Sequence, residues 1–227
     1  VQNEPHRVIQ HTLRMAAKAR RDLIMENLYI VPDQAMLNLI ASLKKRGVRV
    51  RLLVPSIGSN HNPVVYNQYQ KYRKILLRLG MEIYELKGSP APSGRKFLNE
   101  GPRRSHRVKL HAKSVVVDNR YCYIGTLNLD GRSRSVNTEE GLLIESPSFV
   151  RELRQSQERL MLPENAWRVT LDDQGGLVWT SADETRTKEP TLNLFQKVVE
   201  RILRPFDLSN STFPDQQLYK RMRYLTH

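Results

Sequence analysis

A histidine and a lysine interrupt an otherwise apolar run near the middle of the chain. They are His111 and Lys113, in the stretch VKLHAKSVVVD. Side chains two positions apart on an extended strand project from the same face, so a strand over 108–117 brings the two together. A lysine ammonium has no lone pair and repels cations, which makes the pair a poor metal site. The pair suits an anion instead, because Lys113 can neutralise a phosphate oxygen while His111 acts as nucleophile or as general acid and base.

Small and polar residues follow this pair a short distance along the chain. Asn128 and Thr126 can each donate a hydrogen bond to the same phosphate, and such preset donors stabilise charge that develops in a transition state. Gly125 lets the backbone turn close to the site. Glu139 can hold a histidine of the site in orientation, or it can be an ordinary carboxylate at the edge of a strand.

Asp118 stands apart from these candidates. It lies an odd number of positions from both His111 and Lys113, at the end of the predicted strand, so its side chain faces away from theirs. We therefore expect a structural role for Asp118, either orienting the turn that follows or pairing with a nearby cation. An isolated H-x-K pattern is common by chance, and a histidine in a strand is usually a core residue, but the whole combination is hard to obtain by accident.

The elements that position these residues alternate between helical and extended patterns. Such alternation predicts a layered α/β domain with a largely parallel sheet. The segment 87–107 carries Gly, Pro, Ser and many cations, and its length predicts either a functional loop or a disordered one. Apolar periodicity and turn residues predict helices over 6–20, 34–46, 64–79, 148–160 and 192–206, strands over 22–30, 48–55, 81–86, 108–117, 121–126 and 139–145, and a hairpin over 167–181.

The charge balance favours polyanionic partners. Lysine and arginine number 37 against 23 aspartate and glutamate residues, a net charge of +14, which suits nucleic acid, anionic lipid or phosphate-bearing substrates.

The single cysteine, Cys122, is expected to be a buried, inert thiol. No apolar run approaches the ~18 residues of a membrane span, and no secretory signal is visible. The first residue is Val1 rather than methionine, so we expect a processed chain or a fragment.

These residues together resemble a known signature. The segments HAKSVVVD and GTLN are similar to the motif of the phospholipase D superfamily, H-x-K-x(4)-D-x(6)-G-[S/T]-x-N, and every position is matched, by His111, Lys113, Asp118, Gly125, Thr126 and Asn128. The continuation NLDGRSRSVNTEE is similar to that of bacterial cardiolipin synthases, which read N-x-D-x-R-S and then N-x-E. Here those positions are Asn128, Asp130, Arg132, Ser133, Asn137 and Glu139, with Gly131 where proline is expected. The resemblance extends over roughly residues 5–205.

The resemblance implies a fold and a set of site residues. The fold is a layered α/β/α phospholipase D-like domain with a mixed, mainly parallel central sheet. The implied organisation is a catalytic half-domain over 1–187, a C-terminal amphipathic helix over 188–208 and a tail over 209–227. The signature implies no metal and no cofactor; it assigns catalysis to His111, Lys113, Asp118 and Asn128, and substrate binding to Gly125, Thr126 and Glu139.

The resemblance also implies a mechanism that this chain completes only in part. In the superfamily one histidine attacks phosphorus to give a phosphohistidine, a second protonates the leaving oxygen, and water or an alcohol then attacks the phosphohistidine. Two histidines must stand on opposite sides of one phosphorus, but the chain has a single H-x-K. Either two copies of the chain bring two His111 side chains together, or an N-terminal half with a second signature is missing. We expect the missing half, with His111 as general acid and then base.

Three functions are compatible with this chain. The continuation after the signature favours cardiolipin synthase-like phosphatidyl transfer on phospholipids, by a peripheral protein of the bacterial inner membrane. The helix predicted over 192–206 is amphipathic and basic, which suits an anionic membrane surface, although packing of its apolar stripe on the domain explains it as well. The alternative is a nuclease of the same superfamily that acts as a dimer on DNA or RNA. A third hypothesis is a non-catalytic half, against which the intact signature argues.

Overall fold

The computed structural model describes residues 7–28, 30–60, 63–95, 108–130, 133 and 137–190. The predicted helix over 192–206, the tail over 209–227 and part of the predicted loop over 87–107 lie outside these ranges. Within them the helices are α1 (Arg7–Ala17), α2 (Gln34–Lys45), α3 (Pro63–Arg78), α4 (Pro92–Arg95) and α5 (Pro147–Leu160). The strands are β1 (Asp22–Glu26), β2 (Arg49–Pro55), β3 (Glu82–Leu86), β4 (Ser114–Val117), β5 (Tyr121–Gly125), β6 (Gly141–Glu145), β7 (Ala166–Leu171), β8 (Leu177–Thr180) and β9 (Thr185–Arg186).

The nine strands form one mixed sheet in the order β6-β5-β4-β1-β2-β3-β7-β8-β9. Parallel pairing joins β1 to β2 and β2 to β3, whereas the other neighbours in this order are antiparallel. The predicted mixed α/β sheet is therefore confirmed, but the prediction that it is mainly parallel is wrong. Short turns join β4 to β5 and β7 to β8, and a short turn can join only antiparallel strands.

Helices cover both faces of the sheet, so the predicted three layers are confirmed. Successive residues of a strand point to opposite faces, and the central strands divide accordingly between two cores. Leu23 and Leu52 belong to the core beneath α1, α2 and α3. Ile24 and Leu53 belong to a second core, which also contains Val150 of α5. Both cores contain side chains of the central strands. Because these strands are packed on both faces, they form a rigid support for the residues at their ends.

The segment that carries the histidine and the lysine differs from its prediction. The strand predicted over 108–117 begins only at Ser114, so 108–113 precedes β4. The reason is the length of the neighbouring strand: β1 ends at Glu26, which lies directly opposite Ser114 in the antiparallel register. Residues before Ser114 thus have no partner in β1 and leave the sheet. They end beside the cavity described below.

The β4–β5 hairpin, which was predicted, is tied to β1 by Asp118. Asp118 and Asn119 have φ of 55° and 69°, the left-handed region that aspartate and asparagine tolerate in turns. The Asp118 carboxylate accepts hydrogen bonds from three consecutive backbone N–H groups, those of Arg20 at 2.8 Å, Arg21 at 2.8 Å and Asp22 at 2.9 Å. These contacts support the expected structural role, although the carboxylate binds backbone amides rather than a cationic side chain.

We expect Asp118→Ala to lower the free energy of unfolding by about 2–4 kcal/mol, because three backbone donors lose an ionised acceptor. Asp118→Asn keeps an oxygen for the N–H groups of Arg21 and Asp22 and should lose roughly half as much. Denaturant unfolding monitored by circular dichroism measures both variants. An unchanged unfolding midpoint for the alanine variant would contradict the structural role.

Candidate active site

An open cavity of about 920 Å³ lies where β1 ends, β4 begins and β5 ends. Six of the seven residues singled out in the sequence line it: His111, Lys113, Gly125, Thr126, Asn128 and Glu139. The seventh, Asp118, does not belong to this wall. It follows the last residue of β4, whereas the cavity lies beside the first. Six of these residues therefore surround the cavity, whereas Asp118 stabilises the β4–β5 hairpin.

His111 and Lys113 are in direct contact. The Lys113 Nζ lies 2.8 Å from His111 Nδ1 and 3.3 Å from Nε2, and it donates a hydrogen bond to the backbone oxygen of His111 at 2.9 Å. Lys113 is buried, with 8% of its surface exposed, whereas His111 is exposed. Desolvation lowers the pKa of Lys113 below its usual value, and the negative charge of Glu139 offsets part of this effect. The predicted juxtaposition of the two side chains is observed, although they do not lie on a regular strand.

Glu139 is held by the threonine of the signature. Thr126 Oγ1 donates to Glu139 Oε2 at 2.6 Å and accepts from the backbone N–H of Glu140 at 3.0 Å. Asn137 Nδ2 reaches the other carboxylate oxygen of Glu139 at 3.4 Å. The hydroxyl proton of Thr126 thus points to Glu139. We expected Thr126 to donate to a phosphate, but in this arrangement it orients the Glu139 carboxylate instead.

Gly125 lies where three chain segments meet. A Cβ built on Gly125 would collide with the Tyr123 hydroxyl and the Glu140 carbonyl and would lie 2.7 Å from the Cα of Gly141. The Tyr123 hydroxyl donates to the Glu140 carbonyl at 3.0 Å and accepts the N–H of Leu127 at 3.3 Å. Glycine is needed here for close packing rather than for an unusual backbone angle.

Asn128 lines the cavity and carries a buried polar atom without a partner among the described residues. Its Oδ1 is buried and has no hydrogen bond to any residue that the structure describes, although the residue lines the cavity. Buried polar groups in folded proteins are nearly always paired. The oxygen and nitrogen of an asparagine amide can exchange places by rotation about its terminal bond, so Asn128 can present a donor or an acceptor to a ligand.

The sequence analysis missed three buried polar side chains near His111 and Lys113. Glu26, Ser114 and Gln157 are all buried. Ser114 Oγ donates to Glu26 Oε2 at 2.8 Å, and Gln157 Nε2 donates to Ser114 Oγ at 2.9 Å. A glutamate in the apolar strand DLIME was the one available signal, but no periodicity connects it to Gln157 on α5.

No metal-binding cluster of three or more His, Cys, Asp or Glu side chains occurs in the ranges given above. None of the helices in those ranges is long and apolar enough to cross a membrane.

The chain is similar to curated proteins over most of its length. The sequence profile of the family described as "Cardiolipin synthase, PLD-like domain" matches residues 12–161. Cardiolipin synthase C of Escherichia coli (strain K12) is 31% identical over 182 residues, which cover 77% of this chain and 37% of that protein. The chain thus spans little more than a third of the length of this relative.

Solved structures share the fold. Phosphatidylserine synthase of Haemophilus influenzae Rd KW20 aligns with a TM-score of 0.57 and 16% identity, over 90% of this chain and 43% of that one. NucT from Helicobacter pylori aligns with a TM-score of 0.52 and 16% identity, over 67% of this chain and 86% of that one. At this identity the likeness concerns the fold alone.

We expect Glu139→Gln to move the pKa of Lys113 further below its usual value, because the variant loses the negative charge that opposes desolvation. Glu140→Gln is a matched control, since it makes the same charge change at the exposed neighbouring residue. NMR titration of the Lys113 side chain measures the difference. Equal Lys113 pKa values in the wild-type protein and in Glu139→Gln would contradict the coupling.

Proposed function

The chain belongs to the cardiolipin synthase, PLD-like domain family, and from this premise we propose that it supplies one half of an active site that transfers a phosphatidyl group between alcohols. The observation that carries the proposal is the contact of Lys113 Nζ with His111 Nδ1 at 2.8 Å, in the wall of a cavity that Asn128 also lines. A cation, an imidazole and an amide side chain surround a space that an anionic phosphodiester suits.

Phosphate binding involves both members of the pair in this proposal. The Lys113 ammonium contacts His111 Nδ1 at 2.8 Å, so an anion that pairs with the ammonium lies beside the imidazole. The positive charge of Lys113 attracts the negative charge of the phosphodiester. Asn128 then donates its amide hydrogen to a phosphoryl oxygen. Each of these residues acts on the same negative charge.

The transfer has two steps. One imidazole attacks phosphorus and the bond to the first alcohol oxygen breaks, giving a phosphohistidine, while a second imidazole donates its proton to that oxygen. An acceptor alcohol then attacks phosphorus, loses its proton to the second imidazole and releases the first. We assign to His111 the acid and base part, and to a second signature the nucleophile. The second signature comes from another segment of the protein or from a second copy of this chain.

A phospholipid is the proposed substrate, because the matched family is described as cardiolipin synthase and cardiolipin synthase C is a relative at 31% identity. We propose peripheral attachment to the bacterial inner membrane, where such a substrate lies. The net charge of +14 suits anionic lipid and nucleic acid equally, so the second candidate function is phosphodiester cleavage in DNA or RNA by a dimer.

We expect His111→Ala to reduce turnover of the complete protein at least ~1,000-fold, because the described residues of the cavity wall include no second imidazole. Lys113→Ala should reduce it about 100-fold or more, through loss of charge stabilisation. His11→Ala and Lys109→Ala are matched controls at exposed positions outside the cavity wall and should retain activity. Circular dichroism verifies folding. Retained turnover in a folded His111→Ala protein would remove the catalytic assignment.

Substrate assays separate the lipid function from the nuclease function. The complete protein should convert phosphatidylglycerol or phosphatidylethanolamine in vesicles, with loss of activity in His111→Ala. Mass spectrometry of the extracted lipids identifies the product. Parallel reactions contain single-stranded DNA of matched phosphate concentration. Cleavage of DNA without lipid turnover would transfer the assignment to the nuclease.

A further inference from the structure

Glu26 is a buried carboxyl in the wall of the candidate cavity, and the signature does not include it. It is the last residue of β1 and is 6% exposed. In the sheet it lies opposite Ser114, the first residue of β4, and it lines the cavity together with His111 and Lys113. Glutamate is almost never this buried unless it is paired, so its position calls for an explanation.

Hydrogen bonds from the described residues occupy only one of its two oxygens. Glu26 Oε2 accepts from Ser114 Oγ at 2.8 Å and from Gln157 Nε2 at 3.4 Å. Since Ser114 Oγ itself accepts from Gln157 Nε2 at 2.9 Å, its single proton is directed to Glu26. Two donors therefore point at Oε2. A proton on this carboxyl belongs on Oε1, because an oxygen that faces two donors is the poorer site for a third hydrogen.

Burial, rather than a neighbouring charge, favours the protonated form of Glu26. Burial raises the pKa of Glu26, and the hydrogen bonds from Ser114 and Gln157 offset only part of this effect. Among the described residues no ion pair reaches Glu26, and the buried Arg51 is paired with Asp22 at 2.6 Å and with Glu158 at 2.9 Å. The other titratable groups of the cavity wall are His111, Lys113 and Glu139.

We propose that Glu26 is a further substrate-binding residue of this site, which remains a neutral carboxylic acid and donates a hydrogen bond from Oε1 to a phosphoryl oxygen. This inference rests on the proposed function, since it assumes that a phosphodiester occupies the cavity. A second negative charge in the wall, in addition to that of Glu139, would increase the repulsion of the phosphodiester, whereas the acid adds a donor to those of Lys113 and Asn128. A Gln157–Ser114–Glu26 chain of hydrogen bonds fixes the orientation of the carboxyl.

The test compares binding of a soluble phosphodiester, glycerophosphoglycerol, to the complete protein and to its Glu26→Gln variant. A phosphodiester keeps one negative charge from about pH 5 to about pH 9, so any change in affinity belongs to the protein. Glutamine retains an acceptor for Ser114 and an N–H donor for the ligand. His111, Lys113 and Glu139 are present in both proteins, so the difference between the two pH profiles isolates residue 26. Glu145→Gln makes the same charge change at an exposed side chain and serves as the control.

We expect the wild-type chain to lose about tenfold more affinity than Glu26→Gln as the pH rises through the raised pKa of Glu26, because ionisation both removes the donor and adds a repelling charge. Below that pKa the two proteins should bind within about twofold of each other. Glu145→Gln should follow the wild-type profile. NMR chemical shifts of His111 and Lys113 report binding, and thermal unfolding verifies the fold of each variant.

Two other outcomes are informative in different ways. If the wild-type chain binds the phosphodiester and Glu26→Gln shows the same pH profile, or if Glu26→Gln loses binding at low pH, the inference about Glu26 is overturned while the proposed function stands. If the complete wild-type protein binds no phosphodiester at any pH, the proposed function itself is contradicted.

Discussion

The cavity depends on one electrostatic contact that lies at the other end of its strands. The Asp118 carboxylate collects the backbone N–H groups of Arg20, Arg21 and Asp22 and so fixes the β4–β5 hairpin against the start of β1. The antiparallel register that follows places Leu23 opposite Val117 and Glu26 opposite Ser114. Because strand spacing is regular, a contact at the turn determines which residues meet at the far end. The histidine and the lysine leave the sheet at that far end.

The cavity combines groups whose charges are only partly balanced. Lys113 is buried and touches His111, while Glu139 is held aside by Thr126. Removing an ammonium from water costs free energy, and an anionic ligand restores the lost interaction. In the proposed function a phosphodiester meets groups that are already oriented, so little reorganisation is needed when charge develops on its oxygens.

Much of the fold could be predicted from local patterns. The helix predicted over 34–46 is α2, which begins after Asp33, whose carboxylate accepts the N–H of Met36; it ends before Gly47, where φ is 74°. Capping signals of this kind act within one turn of helix, so the sequence displays them. The direction of strand pairing could not be predicted from such local patterns. β3 pairs in the antiparallel direction with β7, whose paired residues lie 80 to 86 positions away. Nothing in the sequence of either strand encodes that direction.

An anion site was predictable from the chain alone, whereas only the folded structure shows that six of the predicted residues line the cavity while Asp118 holds the strands together. The residue types and spacing of the signature are local properties, so His111, Lys113 and Asn128 could be assigned to an anion site from the chain alone. The partners of Asp118 lie 96 to 98 residues away, and Gln157 lies 131 residues from Glu26. Such contacts depend on the sheet order and on the helix that covers it. Side-chain periodicity specifies which face a residue occupies, but not which distant residue arrives at that face.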